Sequence, residues 1–221
     1  MKRLYITSLI LLLTLPALNG QIVNWRAKDS TSRQSVYANF GYDFGMTLQA
    51  GYALKVGKQN PVFLSADVAL PMGNKLTDEL KTRIGAQIEV FSKNRFSVSA
   101  RAFANFRKHR TELVRMLSFG SELSLLAGHY RTTWFIAGEV GMDKAIVTHL
   151  KHSDVQVDFY PDIYNGWIMP AGGHLFYGMV AGKKLGNQLD LNLRLGATNG
   201  QSDDRDALLP FYFQLGLTKT F

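Results

Sequence analysis

Residues 80–91 of this chain read LKTRIGAQIEVF, a stretch in which apolar and polar side chains alternate. In an extended backbone Ile84 and Ile88 fall on one side, whereas Lys81 and Arg83 fall on the other. Successive side chains of a β-strand point to opposite faces of its sheet. The stretch therefore predicts a strand with one apolar face and one charged face.

The same alternation recurs along most of the chain. Residues 36–56 alternate without a break and would reach about 70 Å as one strand, at about 3.3 Å per residue. Because a bilayer's hydrocarbon core is only about 30 Å thick, we predict a hairpin with a loop at 43–45, where Gly45 supplies the preferred glycine. Further alternating segments, which bring the predicted total to ten strands, lie at 62–70, 80–91, 96–107, 113–125, 133–143, 174–184, 188–195 and 211–218.

The connections between these segments alternate between short and long. This asymmetry, with strand segments of about 10–13 residues, is typical of an antiparallel up-and-down transmembrane β-barrel. The alternative is a secreted β-sandwich, whose strands also alternate but average about 5–6 residues. Eight or twelve strands remain open, because 36–56 and 145–173 admit other divisions. The short connections lie at 57–60, 93–94, 128–131 and 186–187, and the long ones at 71–79, 107–112, 145–173 and 199–209.

The N-terminus predicts export. Residues 1–20 place Lys2 and Arg3 before a leucine-rich run that ends near Gly20, the pattern of a cleaved signal peptide. The run is too short to span a bilayer, which needs about 20 apolar residues. We assign residues 21–34 to a polar periplasmic lead and residues 35–221 to the barrel.

Composition narrows the class of protein further. The absence of cysteine excludes disulfides, thiolate metal sites and an acylated cysteine anchor. A mean hydropathy of −0.05 argues against a polytopic helical membrane protein. The net charge of +8 is spread over many segments and does not indicate a nucleic-acid surface.

The C-terminal segment 211–221, FYFQLGLTKTF, carries a family-level signal. It resembles the last strand of Gram-negative outer-membrane β-barrels, and in general character the chain resembles small Bacteroidetes barrels without matching a particular subfamily. Lys219 departs from the pattern, because an apolar residue is usual there. The resemblance implies an outer-membrane location and recognition by the barrel-assembly machinery through Gln214, Gly216, Leu217 and Phe221.

The polar faces of the predicted strands carry both signs of charge. If the apolar faces meet lipid, these charges point into the barrel, where burial is costly unless they pair. A barrel of about eight strands is just filled by its own side chains, so we predict a largely plugged interior, with a narrow porin-like channel as the alternative. The inward set is Lys81, Arg83, Glu89, Arg101, Arg107, Glu112, Glu122, Glu139, Asp190 and Arg194.

The connection 145–173, predicted to be extracellular, is long and aromatic, which favours a functional loop over a disordered one. We take Phe159, Tyr160, Tyr164 and Trp167 as candidate binding residues for a ligand or surface.

Another predicted loop is basic. Its residues Lys108, His109 and Arg110 suit contact with lipopolysaccharide phosphates. The expected partners are therefore outer-membrane lipid and the assembly machinery, around a monomer.

A lipid A- or phospholipid-modifying enzyme is a further alternative, since His149, His152, Ser153 and Asp154 cluster. Adjacent residues of an extended chain point to opposite sides, however, so His152 and Ser153 do not form a ready pair. We assign no catalytic residue, metal or cofactor.

Overall fold

The computed structural model describes residues 33–43, 45–57, 61–72, 78–169, 172–200 and 210–221. The predicted signal peptide and residues 21–32 of the predicted lead lie outside them. No helix among the described residues is long and apolar enough to cross a membrane. The elements are β1 (Gln34–Tyr42), β2 (Met46–Val56), β3 (Val62–Pro71), β4 (Glu79–Lys93), β5 (Phe96–Arg110), β6 (Val114–Tyr130), β7 (Trp134–His152), α1 (Asp154–Phe159), β8 (Gly166–Ile168), β9 (Gly173–Lys184), β10 (Leu189–Gly200) and β11 (Phe211–Thr220).

Ten of these strands form a closed antiparallel β-barrel, which confirms the predicted fold and strand number. Each barrel strand pairs with its neighbours in the chain, and β1 pairs with β11 from Ser35 opposite Thr220 to Tyr42 opposite Phe213. The short strand β8 pairs only with β7. The predicted hairpin at 43–45 is present, with Tyr42 opposite Met46.

The two ends of the barrel differ in their connections. At one end, here called the turn end, β4 and β5 are joined by the tight turn Asn94–Arg95. Asn94 has a φ of 55°, a conformation that asparagine tolerates. At the other end, the loop end, the connections include 72–78, 153–172 and 201–210.

Two β-bulges place strand boundaries at positions that differ from the predicted ones. The register between β4 and β5 shifts around Val90, which turns Phe91 to the outer face and moves the predicted turn at 93–94 by one residue. The register between β6 and β7 shifts around Ile146, so 145–152 continue β7 instead of belonging to the predicted loop 145–173. Each extra residue exchanges the inward and outward positions beyond it. The rest of the strand therefore no longer continues the two-residue pattern of the part before the bulge.

The predicted long connection at 107–112 is also wrong. β5 continues to Arg110 and β6 begins at Val114, leaving only 111–113 between them. The side chain of Thr111 holds this turn, because its hydroxyl accepts hydrogen bonds from the backbone N–H groups of Leu113 and Val114.

The faces of the barrel separate as the alternation predicts. Outward-facing side chains such as Leu64, Ile84 and Val140 leave 47%, 66% and 54% of their surface exposed. Inward-facing side chains are buried and mostly polar or charged, as at Lys81 and Arg83. The polar content of this chain is therefore concentrated inside the barrel.

Closure of the barrel predicts a specific cross-link. Ala38 and Leu217 lie opposite each other across the β1–β11 seam, and opposed Cα atoms about 4.5–5.5 Å apart suit a disulfide. In this cysteine-free chain, Ala38→Cys/Leu217→Cys should form an intramolecular disulfide on mild oxidation, seen by non-reducing electrophoresis. Phe213 lies four register positions along, about 13 Å away, so cross-linking of Ala38→Cys/Phe213→Cys with equal yield would contradict the closed seam.

Candidate functional site

The half of the barrel interior nearer the loop end is organised around charged side chains. Lys81 on β4 is 3% exposed and lies at a junction of three carboxylates. Its Nζ is 3.4 Å from Asp43 Oδ2, 3.4 Å from Glu122 Oε2 and 3.1 Å from Asp143 Oδ2. These carboxylates come from the β1–β2 connection, β6 and β7, so one ammonium group joins three distant parts of the wall.

Arg83 makes a second junction on the same face of β4. Its Nε and Nη2 each donate to one carboxylate oxygen of Asp67 at 3.0 Å, and its Nη1 donates to Glu122 at 3.0 Å. The Tyr37 hydroxyl also donates to Asp67 at 2.9 Å. The bidentate geometry with Asp67 is the strong form of an arginine–carboxylate pair.

Glu139 on β7 is the third junction, and its side chain is fully buried. Arg101 and Arg194 both donate to it, the latter from Nε at 2.6 Å. The Tyr212 hydroxyl donates to Glu139 at 3.3 Å, while the Arg194 guanidinium lies 4.4 Å from the centre of the Tyr212 ring. Arg194 also donates to the Gln214 side chain at 3.3 Å.

The interior ion pairs balance in charge. Arg107, which reaches Asp143 from β5, completes a set of five cations and five carboxylates among the described residues. Because an unpaired buried charge is costly, this balance makes the polar interior tolerable. The interior ion network, as we call it, consists of Lys81, Arg83, Arg101, Arg107 and Arg194 with Asp43, Asp67, Glu122, Glu139 and Asp143.

The half of the interior nearer the turn end holds apolar clusters among buried polar side chains such as Ser97, Asn192 and Thr218. Tyr130 and Phe135 stack with ring centroids 5.3 Å apart and an interplanar angle of 7°. The Phe135 ring lies over Gly182, where a Cβ atom would come within 2.1 Å of it. The apolar layer, as we call it, comprises two buried clusters, Leu126, Tyr130, Phe135, Ala137 and Val180, and Tyr37, Ala53 and Phe63.

Most of the predicted inward residues lie in the interior ion network. Glu89 and Asp190 lie nearer the turn end, where Glu89 is half-buried and accepts a hydrogen bond from the Ser97 hydroxyl at 2.8 Å, and Asp190 is buried. Glu112 was predicted to point inward, but it lies exposed in the 111–113 connection because β5 ends before it and β6 begins after it. The residues that join the network as predicted are Lys81, Arg83, Arg101, Arg107, Glu122, Glu139 and Arg194.

Sequence reasoning missed three members of the network. Asp67 and Asp143 have the inward parity of their strands, so the alternation itself was the signal that could have found them. Asp43 lies in a connection, where alternation carries no information about direction.

The residues of the predicted assembly signal lie along β11 and just beyond it. Gln214 is buried in the interior, and Leu217 lies opposite Ala38 of β1 at the seam. Gly216 lies opposite Asn39 of β1 and Asn192 of β10. Phe221 is 51% exposed, and the Lys219 ammonium lies 5.1 Å from the centre of its ring.

The aromatic residues of the predicted binding loop do not converge on one pocket. Phe159, Tyr160 and Tyr164 are 77%, 65% and 58% exposed. Trp167 on β8 contacts the barrel wall instead, with its ring 4.9 Å from the His149 ring. The Tyr164 hydroxyl donates to the Trp167 carbonyl oxygen at 3.1 Å, which ties the exposed loop to β8.

The histidine and serine residues of the same loop have separate partners. His152 Nδ1 lies 3.0 Å from Asn165 Oδ1, while the Ser153 hydroxyl accepts from the Gln156 N–H as the N-cap of α1. Among the described residues, no group of three or more histidine or acidic side chains is arranged to hold a metal.

Asp43 connects the interior ion network to the loop end and titrates abnormally. Burial raises the pKa of its carboxyl, but the positive charges of Lys81, Arg194 and Arg83 outweigh that effect and lower the pKa to about 2 from the ordinary 3.8. A carboxyl whose pKa is lower in the folded state stabilises the fold above its unfolded pKa. That stabilisation is lost as the pH falls from 3.8 towards 2.

This shift predicts an acid-dependent contribution from one residue. The difference in unfolding free energy between wild type and Asp43→Asn should be constant above pH 3.8 and shrink between pH 3.8 and 2, measured by urea unfolding in detergent micelles. A difference that grows as the pH falls would contradict the assigned sign.

Removal of the carboxylate at the third junction should be strongly destabilising. Glu139→Gln leaves Arg101 and Arg194 without their shared counter-charge, and loss of one partner of a buried ion pair costs about 3–5 kcal/mol. Urea unfolding of Glu112→Gln provides the control, because the exposed Glu112 should change stability by less than about 0.5 kcal/mol. Equal effects of the two substitutions would show that the network does not stabilise the barrel.

Comparison with known proteins does not assign this barrel to a family. No protein-family model matches the chain, and no curated protein matches it.

Proposed function

We propose that this chain is an integral outer-membrane β-barrel protein whose interior is closed to solutes. Three features support the membrane location. The outward faces of the barrel strands are apolar, the N-terminal sequence has the pattern of a signal peptide, and the last strand resembles those of outer-membrane barrels. In this orientation the N-terminus and the turn end face the periplasm, and the loop end faces the outside.

The closed interior is carried by one observation, the filling of both halves of the barrel by buried side chains. In the loop half, the interior ion network joins side chains from non-neighbouring strands, and Lys81 and Glu122 are 3% exposed. In the turn half, the apolar layer fills the interior together with buried polar side chains, and Leu126 and Phe135 are 0% and 1% exposed. An ion crossing the barrel would have to disrupt paired buried charges and displace closely packed side chains, and both steps are unfavourable.

The proposed role outside the barrel is binding through the loop end. The connection between β7 and β9 presents several large apolar side chains to its surroundings, and exposed apolar patches commonly mark interaction sites. They are Val155, Phe159, Tyr160, Tyr164 and Met169, with exposures of 58–77%. The chain acts as a monomer in this proposal, inserted by the barrel-assembly machinery and without catalytic activity.

Conductance measurements test the closed interior. Purified wild type in planar bilayers should give no single-channel steps, and neither should a variant in which residues 154–165 are replaced by a short Gly-Ser linker, because both halves of the interior remain filled. Heat-modifiable electrophoretic mobility provides the control that both proteins are folded.

Each other outcome favours a different function. Single-channel conductance steps from the wild type would establish a narrow channel. Conductance steps from the loop variant alone would show that the loop closes a channel. Lipid turnover by the purified protein that is lost in His152→Ala and Ser153→Ala would establish a lipid-modifying enzyme.

A further inference from the structure

On one side of the loop end, the barrel wall extends further than it does elsewhere. β6 and β7 have 17 and 19 residues, and β8 continues the sheet beside β7 where the β9 pairing ends. β5 accompanies them as far as Arg110, opposite Arg115 of β6. Together these four strands form an outward-facing sheet surface, here called the raised face.

The top of the raised face is a row of like charges. Arg110 on β5 lies directly opposite Arg115 on β6, and Arg115 lies directly opposite Lys151 on β7. All three residues are exposed. Cross-strand neighbours have Cβ atoms about 4.5–5.5 Å apart, and like charges in such positions repel.

No side chain of this cationic row forms an ion pair in the described part of the chain. Every described ion pair involves other side chains. The row therefore contrasts with the interior, where each cation of the network faces a carboxylate. An external anion is the group that would relieve its repulsion.

Below the cationic row the same surface becomes apolar. One step down, Lys108, Leu117, His149 and Trp167 form a mixed row. A further step down, Phe106 lies opposite Phe119 with ring centroids 5.1 Å apart, and the Trp167 ring lies 6.3 Å from that of Phe119. The change from aromatic to cationic spans four residues of β6, or about 13 Å.

We propose that the raised face binds a phosphorylated lipid of the outer leaflet. Its phosphates lie between Arg110, Arg115 and Lys151, and its acyl chains lie against the rings of Phe106 and Phe119. Guanidinium groups donate two parallel hydrogen bonds to phosphate, and aromatic rings favour the membrane interface. The order of the rows, cationic above apolar, matches a lipid, which carries both phosphates and acyl chains. A free phosphate would not contact the apolar rows. This inference rests on the proposed outer-membrane location.

The test measures lipid affinity of the full-length folded protein in detergent micelles. The probes are a diphosphorylated lipid A, the same lipid enzymatically dephosphorylated, and inorganic phosphate, each titrated by native mass spectrometry or a fluorescence assay. The wild type should prefer the diphosphorylated lipid. Arg115→Gln/Lys151→Gln should lose about 30-fold in affinity for it, because each cation near an anionic lipid contributes about fivefold.

Two further variants separate site from net charge. Lys93→Gln/Arg95→Gln removes two exposed cations at the turn end, and its affinity should stay within about twofold of wild type. Arg110→Lys/Arg115→Lys keeps the charge but removes the paired guanidinium hydrogen bonds, so its affinity should lie between those of the wild type and Arg115→Gln/Lys151→Gln. Heat-modifiable mobility confirms that each variant is folded.

Several results would overturn the proposal. One is an equal loss of affinity for the diphosphorylated lipid in Arg115→Gln/Lys151→Gln and in Lys93→Gln/Arg95→Gln. Another is equal wild-type affinity for the diphosphorylated and the dephosphorylated lipid. The third is an affinity for inorganic phosphate as high as that for the diphosphorylated lipid. Insertion of the wild type into phosphatidylcholine vesicles is measured in parallel. Failure to insert would overturn the membrane location together with this inference, whereas insertion without lipid discrimination would overturn this inference alone.

Discussion

The pairing of charges inside the barrel is the constraint on which the rest of the structure depends. Burial of an isolated carboxylate or guanidinium is far more costly than a folded protein can tolerate. Ten described side chains of opposite sign share this interior, and Lys81, Arg83 and Glu139 each contact more than one partner. The partners come from different strands, so the wall positions that carry them have to be in register around the whole circumference.

The size of the barrel makes this pairing possible. A barrel with about eight strands is just filled by side chains, and larger ones leave an open lumen. With ten strands, long side chains such as Lys81 on β4 still reach Asp143 on β7, three strands away. Where the charges end, aromatic rings such as Phe135 lie over glycines of the neighbouring strand and fill the remaining space. The loop half of the interior therefore holds the paired charges and the turn half the apolar clusters with buried polar side chains, and both halves are filled.

Alternation predicted much of this arrangement and failed at identifiable places. It placed Lys81, Arg83 and Glu122 inside, because β4 and β6 keep their period through those positions. It lost the upper part of β7, because the bulge at Ile146 reverses the parity of everything beyond it. The strand β8 was not predictable, because three residues are too few to show a period.

The sequence by itself predicted the fold class, ten as the favoured strand number and most of the charges that turn inward, because all three follow from the two-residue period of a β-strand and from connection lengths. Only the tertiary structure decided which charges pair, because partners such as Arg194 and Glu139 lie 55 residues apart and meet because β9 pairs with both of their strands. It also decided that Arg110, Arg115 and Lys151 form one row, since that alignment depends on the register of three strands beyond a bulge. Periodicity gives the direction of a side chain, whereas its partner depends on how the strands align.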